Sequence, residues 1–278
     1  MRYPDYYGVD AACLREKKLW LFDMDGTVNQ DDRLFDGAQA LMRAIRRQGG
    51  EYVFITNNST WSVEDLRRKM NRLGIPCGDE NFFTATLATI LYLKKHYPGA
   101  KIYTQATASC VRELRAAGLN ITEEVCPDAD VILVGYDAEL TYPKLRRTSE
   151  MLSTYDVPFI ATNPDLRCPA SFGFVPDCGS ICQMLTNATD RSPLYVGKPE
   201  PTMVYAAQEI FHRGAEDTVV VGDRLYTDVL VGLNAGVTAV AVLTGEATPK
   251  AIEEGDIKPT LTFLSVKEIA DVLEGSPS

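Results

Sequence analysis

What this chain lacks removes several classes of function. No apolar run approaches the roughly 20 residues that a helix needs to cross a bilayer. The opening Met1-Arg2-Tyr3-Pro4-Asp5-Tyr6-Tyr7 has no apolar signal core, so a cytoplasmic protein with no membrane partner is expected. Histidine occurs only as His96 and His212, neither near the end of an expected strand, which leaves zinc hydrolysis and serine–histidine catalysis without their groups. Positive charge is in deficit, 28 Lys and Arg against 38 Asp and Glu, and a net charge of −10 argues against a nucleic-acid surface. An anionic substrate would need a local cationic device. No Gly-x-x-x-x-Gly-Lys-Ser/Thr loop and no Gly-x-Gly-x-x-Gly fingerprint occurs, so nucleoside triphosphates and dinucleotides lose support. The seven cysteines, odd in number and scattered, form neither a disulfide framework nor a zinc pattern. Cys178 and Cys182, at helical spacing, read as packing residues.

What is there begins with Lys18-Leu19-Trp20-Leu21-Phe22-Asp23-Met24-Asp25-Gly26-Thr27. The continuous apolar run is too short for a helix and reads as a buried strand. Asp23 and Asp25 fall at its carboxyl end, where open α/β sheets collect ligands. Two acids at one strand tip disfavour each other's ionisation unless a cation sits between them. Alone, the motif could equally be a turn in which Asp caps a helix.

The 278 residues suffice for one large or two modest domains, and 45% hydrophobic with 24% charged residues is ordinary globular composition. Residues 1–16 read as an N-terminal extension. After the strand over 18–23, the pattern predicts a helix over 37–48 and a buried strand Glu51–Thr56 that ends in Asn57-Asn58-Ser59-Thr60. From about 81 to 189 it restarts: helices over 85–96, 107–117 and 142–154 alternate with strands at 101–104, 131–135 and 158–161. The Pro- and Gly-rich stretch from Thr162 to Ser180 reads as loop. The block reads as a domain inserted into a core made of 1–80 and 190–278, each with a largely parallel sheet. The last third holds Gly197-Lys198-Pro199, a helix over 202–213, the strand Thr218–Asp223, a helix from Arg224 to Ala235, the strand Thr238–Leu243, and a closing strand and helix. In a parallel sheet the strand ends carrying Asp23, Thr56 and Asp223 share one edge, and Lys198 joins them from a loop. Oxygen-only ligands in that number suit Mg²⁺.

Asp23-Met24-Asp25-Gly26-Thr27, Thr56-Asn57-Asn58, Gly197-Lys198-Pro199 and Gly222-Asp223-Arg224-Leu225-Tyr226-Thr227-Asp228 resemble, in order, the four motifs of the haloacid dehalogenase superfamily. The insertion between the second and third motifs, with Asn163-Pro164-Asp165 near its end, is similar to the NagD-like, 4-nitrophenylphosphatase branch with its C2-type cap. The resemblance spans about 17–275. It departs at Phe35-Asp36, where the branch usually has Pro, and at Cys178, where Gly is common.

The resemblance implies an α/β fold, a Rossmann-like core with an α/β cap closing over the strand tips, and a Mg²⁺-dependent phosphatase. Asp23 would be the nucleophile, forming an aspartyl-phosphate. Asp25 would protonate the leaving alkoxide and then deprotonate the attacking water. Thr56 and the backbone beside Asn57 would hold phosphate oxygens, and Lys198 would neutralise charge. Asp23, the Asp25 main-chain carbonyl and Asp223 would hold Mg²⁺, with Asp228 reaching it through water. The implied substrates are small phosphorylated metabolites: nucleoside monophosphates, sugar phosphates or phosphoglycolate. A homodimer formed through the cap is a further implication. By residue type alone, Asp228 could simply cap its helix, Thr56 could be a β-former and Lys198 an exposed loop residue. Asn163 and Asp165 are candidate cap-borne substrate contacts. A phosphate-ligand sensor without turnover and a phosphotransferase remain the alternatives, and the intact Asp25 argues against the first, because a binder needs no proton-transfer acid.

Overall fold

The computed structural model describes residues 2–58, 62–170 and 172–275. Ser59 and Thr60, in the hydroxyl-rich strand end, lie outside the described residues. The chain packs as two compact units, one of Met1–Thr56, Val63–Phe83 and Lys198–Ser278, the other of Asn57–Ser62 and Thr84–Gly197.

The first unit is built on a six-stranded sheet in the order Leu261–Phe263, Thr238–Val242, Thr218–Gly222, Leu19–Phe22, Glu51–Thr56, Phe82–Thr84. Leu19–Phe22 pairs in parallel with both central neighbours, Phe22 lying level with Val221 on one side and Phe54 on the other. That register sets Asp23, Asp223 and Thr56 at the same carboxyl edge. All four residues of Leu19–Phe22 and all five of Thr218–Gly222 are buried, as expected of strands covered on both faces. Leu41, Met42 and Ile45, predicted to share a helix face, are buried on Ala38–Arg47. Gly49 ends that helix with φ +70, a conformation that favours glycine, and the Gly50 N–H donates back to the Ile45 carbonyl.

The N-terminal extension has a definite place. The Tyr6 N–H donates to the Thr262 carbonyl, and the Thr262 N–H donates 2.9 Å to the Asp5 carboxylate, so this segment covers the edge strand of the sheet. Leu14, on the short 3₁₀ turn Ala12–Glu16, is buried.

The second unit carries its own parallel sheet, in the order Leu194–Tyr195, Phe159–Ala161, Val131–Val134, Lys101–Gln105, Asn120–Thr122. The helices Ala85–His96, Ala108–Ala116 and Tyr142–Thr154 fall where the pattern set them. Thr162 to Ser180 is not the loop expected. Arg167–Ala170 and Gly173–Pro176 form an antiparallel hairpin, and the helix Cys178–Thr189 starts directly after it, capped by Asp177. Pro169, Gly173 and Pro176 mask the strand pattern, and a hairpin needs no crossover helix to announce it. Cys178 and Cys182 are buried packing residues on that helix.

The units also divide a few residues later than 81 and 189. Phe82–Thr84 is an edge strand of the first sheet, and Leu194–Tyr195 pairs with Phe159–Ala161 in the second. Both strands are very short, which leaves little periodicity to read.

Candidate active site

Leu19–Phe22 ends in Asp23 because the strand has exhausted its apolar run, and the Asp23 N–H still donates to the Val221 carbonyl, holding the residue in line with the sheet. Thr218–Gly222 delivers Asp223, and the turn that follows delivers Asp228. One carboxylate oxygen from each of Asp23, Asp223 and Asp228 lies within 4.8 Å of the others. Lys198 is the local cation. Its Nζ donates 2.6 Å to Asp23 Oδ1, 2.6 Å to Asp228 Oδ1 and 3.1 Å to the Ile55 carbonyl. The exposed-loop reading of Lys198 is thereby excluded, since only 1% of the residue is accessible.

The second oxygens of two of these acids are held by main-chain donors. Asp228 Oδ2 accepts from the Arg224 N–H at 3.0 Å, and Asp223 Oδ2 from the Glu246 N–H at 2.9 Å. The Arg224 and Glu246 side chains pair at 2.8 Å, tying those two loops together. Thr27 donates 3.1 Å to Asp223 Oδ1. Asp228 thus belongs to the acid cluster and braces the turn that carries it, and it makes no side-chain cap to the helix Leu230–Asn234 that follows.

The electrostatics follow from crowding. Burial, then Asp228, drives the Asp23 carboxyl well above the ordinary carboxylate range, against the pull of Lys198. Burial, then Asp228, pushes Asp223 up to about 6. Burial opposes the charge on Lys198, but Asp228 and Asp23 outweigh it and hold the ammonium above its usual value. One lysine among three acids leaves an excess of negative charge.

Asp25 stands apart from that cluster. Its side chain is half exposed, at 52%, and its Oδ1 accepts from Asn29 Nδ2 at 2.6 Å, with Lys69 Nζ at 3.4 Å. Thr56 is buried at the end of its strand. Asn57 belongs to the second unit, where its Nδ2 donates 2.6 Å to Asp165 Oδ2. Asn163 donates to the same oxygen at 2.9 Å and to Asp177 Oδ1 at 3.1 Å. Asn163 and Asp165 are 0% and 2% exposed, so this structure places them in a buried network rather than on an accessible surface.

Residues 20–120 match the family model described as haloacid dehalogenase-like hydrolase, and residues 195–269 match a second, HAD-hydrolase-like model. The acid sugar phosphatase of Staphylococcus saprophyticus is 32% identical over 261 residues, covering 94% of this chain and all of that one. Among solved structures, a 4-nitrophenylphosphatase from Thermotoga maritima superimposes with a TM-score of 0.88 at 35% identity, over 93% of this chain and 98% of that one. NagD from E. coli K-12 superimposes with a TM-score of 0.83 at 31% identity, over 92% and 99%. The chain belongs to the haloacid dehalogenase-like hydrolases.

In this haloacid dehalogenase-like hydrolase the donor set fits a hard divalent cation. Three clustered carboxylates with no imidazole or thiolate among them are oxygen ligands of the kind Mg²⁺ takes. Two glycines shape the cradle: a Cβ on Gly26, which has φ +93, would fall 2.6 Å from Asp223 Oδ2, and one on Gly245 would overlap the same carboxylate. Asn29, Lys69, Glu246 and Gly245 were not anticipated from the sequence. Gly245 closes the strand Thr238–Val242 much as Gly26 follows Asp25, a signal that could have found it; nothing marked the other three.

Proposed function

We propose that this chain is a Mg²⁺-dependent phosphatase of small phosphomonoesters that works through an aspartyl-phosphate on Asp23. The observation that carries the reading is the asymmetry of the acids. Asp23 keeps 16% of its side chain open to solvent, whereas Asp228 keeps 1%. Of the three clustered acids, Asp23 is the one a substrate could reach, and Lys198 lies against it.

Asp23, the Asp25 carbonyl and Asp223 would hold the cation, with Asp228 behind them. When bound, the metal would offset negative charge on the phosphoryl group and the acids and keep Asp23 ionised. Asp23 attacks phosphorus while the ester P–O bond breaks, and Asp25 gives its proton to the leaving oxygen. In the second half, Asp25 takes a proton from the water that attacks phosphorus. The aspartyl P–O bond breaks, its electron pair returns to Asp23, and phosphate leaves. Lys198 offsets charge throughout, and Thr56 with the main chain beside Asn57 binds phosphate oxygens. At about 4 Å and an effective dielectric near 20, two unit charges interact by roughly 4 kcal/mol, so an acid cluster facing a phosphate dianion needs both cations.

The names of the relatives support sugar phosphates or 4-nitrophenyl phosphate as substrates. Nucleoside monophosphates and phosphoglycolate belong to the same menu of small phosphorylated metabolites. The second unit, as the cap, would set the choice, and pairing of two copies belongs to the same proposal. The seven cysteines are free thiols, which supports a reducing, cytoplasmic setting. Among the described residues no helix is long and apolar enough to cross a membrane. The test is hydrolysis of 4-nitrophenyl phosphate and a panel of phosphorylated metabolites with Mg²⁺ and with EDTA. Activity that EDTA removes and Mg²⁺ restores supports the reading; no cleavage of any small phosphomonoester overturns it.

A further inference from the structure

Asn29 is an uneconomical residue for its position. It is 0% exposed, yet its amide is only half satisfied. Nδ2 donates 2.6 Å to Asp25 Oδ1 and 3.1 Å to the Asp31 carbonyl, while Asn29 Oδ1 has no partner among the described residues. Both neighbours of Nδ2 are acceptors, which fixes the amide orientation, because the flipped form would set oxygen against oxygen. A buried carbonyl oxygen without a donor is a standing penalty that an apolar side chain of the same size would avoid. Asn29 is therefore explained by what its amino group does.

That amino group meets one oxygen of one acid. Lys69 Nζ approaches the same Asp25 Oδ1 at 3.4 Å, and no donor among the described residues reaches Oδ2. The Asp25 carboxylate is half exposed and would otherwise turn freely about its two side-chain torsions. The turn beneath it is closed by the Gly26 N–H donating 2.8 Å to the Asn29 carbonyl, so anchor and acid belong to one small ring of backbone.

We propose that Asn29 is the positioning residue for Asp25. With Lys69 it dedicates Oδ1 to the protein and leaves Oδ2 as the oxygen that gives and takes the proton. A proton on Oδ1 would face two N–H donors, so it resides on Oδ2. This rests on the reading of Asp25 as the acid–base group. In the first half-reaction the Asp23–phosphorus bond forms, the ester P–O bond breaks and the Oδ2 proton passes to the departing oxygen. In the second, Oδ2 recovers a proton from the attacking water. A carboxylate that rotates away must be re-aimed at each step, and displacements of about 1 Å can cost on the order of 100-fold.

The leaving group separates this role from a structural one. An alkoxide needs the proton to depart, whereas 4-nitrophenolate leaves as a stable anion. The ratio of interest is kcat/KM, which covers steps only up to leaving-group departure. In Asn29→Leu, kcat/KM on an alkyl phosphomonoester that the wild type cleaves falls about 30-fold or more, within the range general acid catalysis supplies, and falls no more than about threefold on 4-nitrophenyl phosphate. The melting temperature of the variant stays level or rises, since the unpartnered oxygen is gone. Asn29→Ala, smaller and without the donor, gives the same selective loss and serves if the leucine variant does not fold. Equal losses on both substrates, or no loss on either, overturn the proposal. Asp25→Asn is run beside them. If it too shows no leaving-group dependence, the acid–base reading itself fails; if it does and the Asn29 variants do not, only the positioning role fails.

Discussion

Lys198 and Asp228, thirty residues apart in sequence, meet at 2.6 Å with both side chains almost wholly buried. A buried ion pair stabilises little on its own, but removal of one partner strands the other. Here the stranded group would be one of three acids, and Lys198 is the cation nearest to them.

Lys198→Met should therefore do two kinds of damage. In EDTA at pH 8 the protein should lose about 3–5 kcal/mol of stability, as buried pairs do when one charge is removed. Turnover should fall on the order of 100-fold or more even at saturating Mg²⁺, in line with loss of a charge-stabilising group. Urea unfolding and steady-state rates check the two effects separately.

The pH dependence of stability follows from Asp223. Burial and Asp228 raise its carboxyl from the ordinary 3.8 to about 6, so between those values the folded chain holds a proton that the unfolded chain has released. Stability of the metal-free protein should then fall as pH rises through that window, and Asp23, shifted in the same direction, adds to the trend. Saturating Mg²⁺ binds the ionised cluster and should flatten the profile. Melting temperatures from pH 4.5 to 8, with EDTA and with Mg²⁺, measure this. A metal-free profile that climbs with pH would contradict the assignment.

Gly245→Ala tests the cradle. The added methyl would land on the Asp223 carboxylate, which must move. Mg²⁺ affinity should weaken about 10- to 100-fold, the scale seen when a metal ligand loses its support, with little change in the far-ultraviolet circular dichroism spectrum. Titration calorimetry gives the affinity directly.

Asp165→Ala bears on the second unit. It removes the acceptor shared by Asn57 and Asn163, both buried. Asn163 keeps Asp177 as an acceptor, so the cost is that of two lost hydrogen bonds to a buried carboxylate, roughly 1–3 kcal/mol in a denaturant melt. A neutral outcome would mean that the network is not structural and would return Asn163 and Asp165 to the list of substrate contacts.

The acid–lysine constellation was legible in the sequence because a parallel sheet converts distant strand ends into neighbours. Leu-Trp-Leu-Phe before Asp23 and Thr-Val-Val-Val-Gly before Asp223 are unmistakable buried strands, and each ends in its acid. Helices with a clear stripe, such as Ala38–Arg47, were found within a residue at each end. The failures have local causes. The hairpin at 167–176 is broken up by proline and glycine, and Phe82–Thr84 and Leu194–Tyr195 are too short to show a period. Asn29 was invisible because its function is a single hydrogen bond inside a turn. The sequence points to the main chain beside Asn57 as a phosphate contact; that its side chain engages Asp165, 108 residues away, has no signal in the sequence.

The mechanism proposed above requires that Asp23 become covalently phosphorylated. The direct measurement is mass spectrometry of enzyme quenched in acid within the first turnover of 4-nitrophenyl phosphate and Mg²⁺, with peptide mapping of the adduct. One phosphate is expected on the peptide that carries Asp23, lost in alkali and absent from Asp23→Asn, which should be folded but inactive. An actively turning-over enzyme that shows no adduct at any quench time, or an Asp23→Asn variant that still hydrolyses substrate, would contradict it.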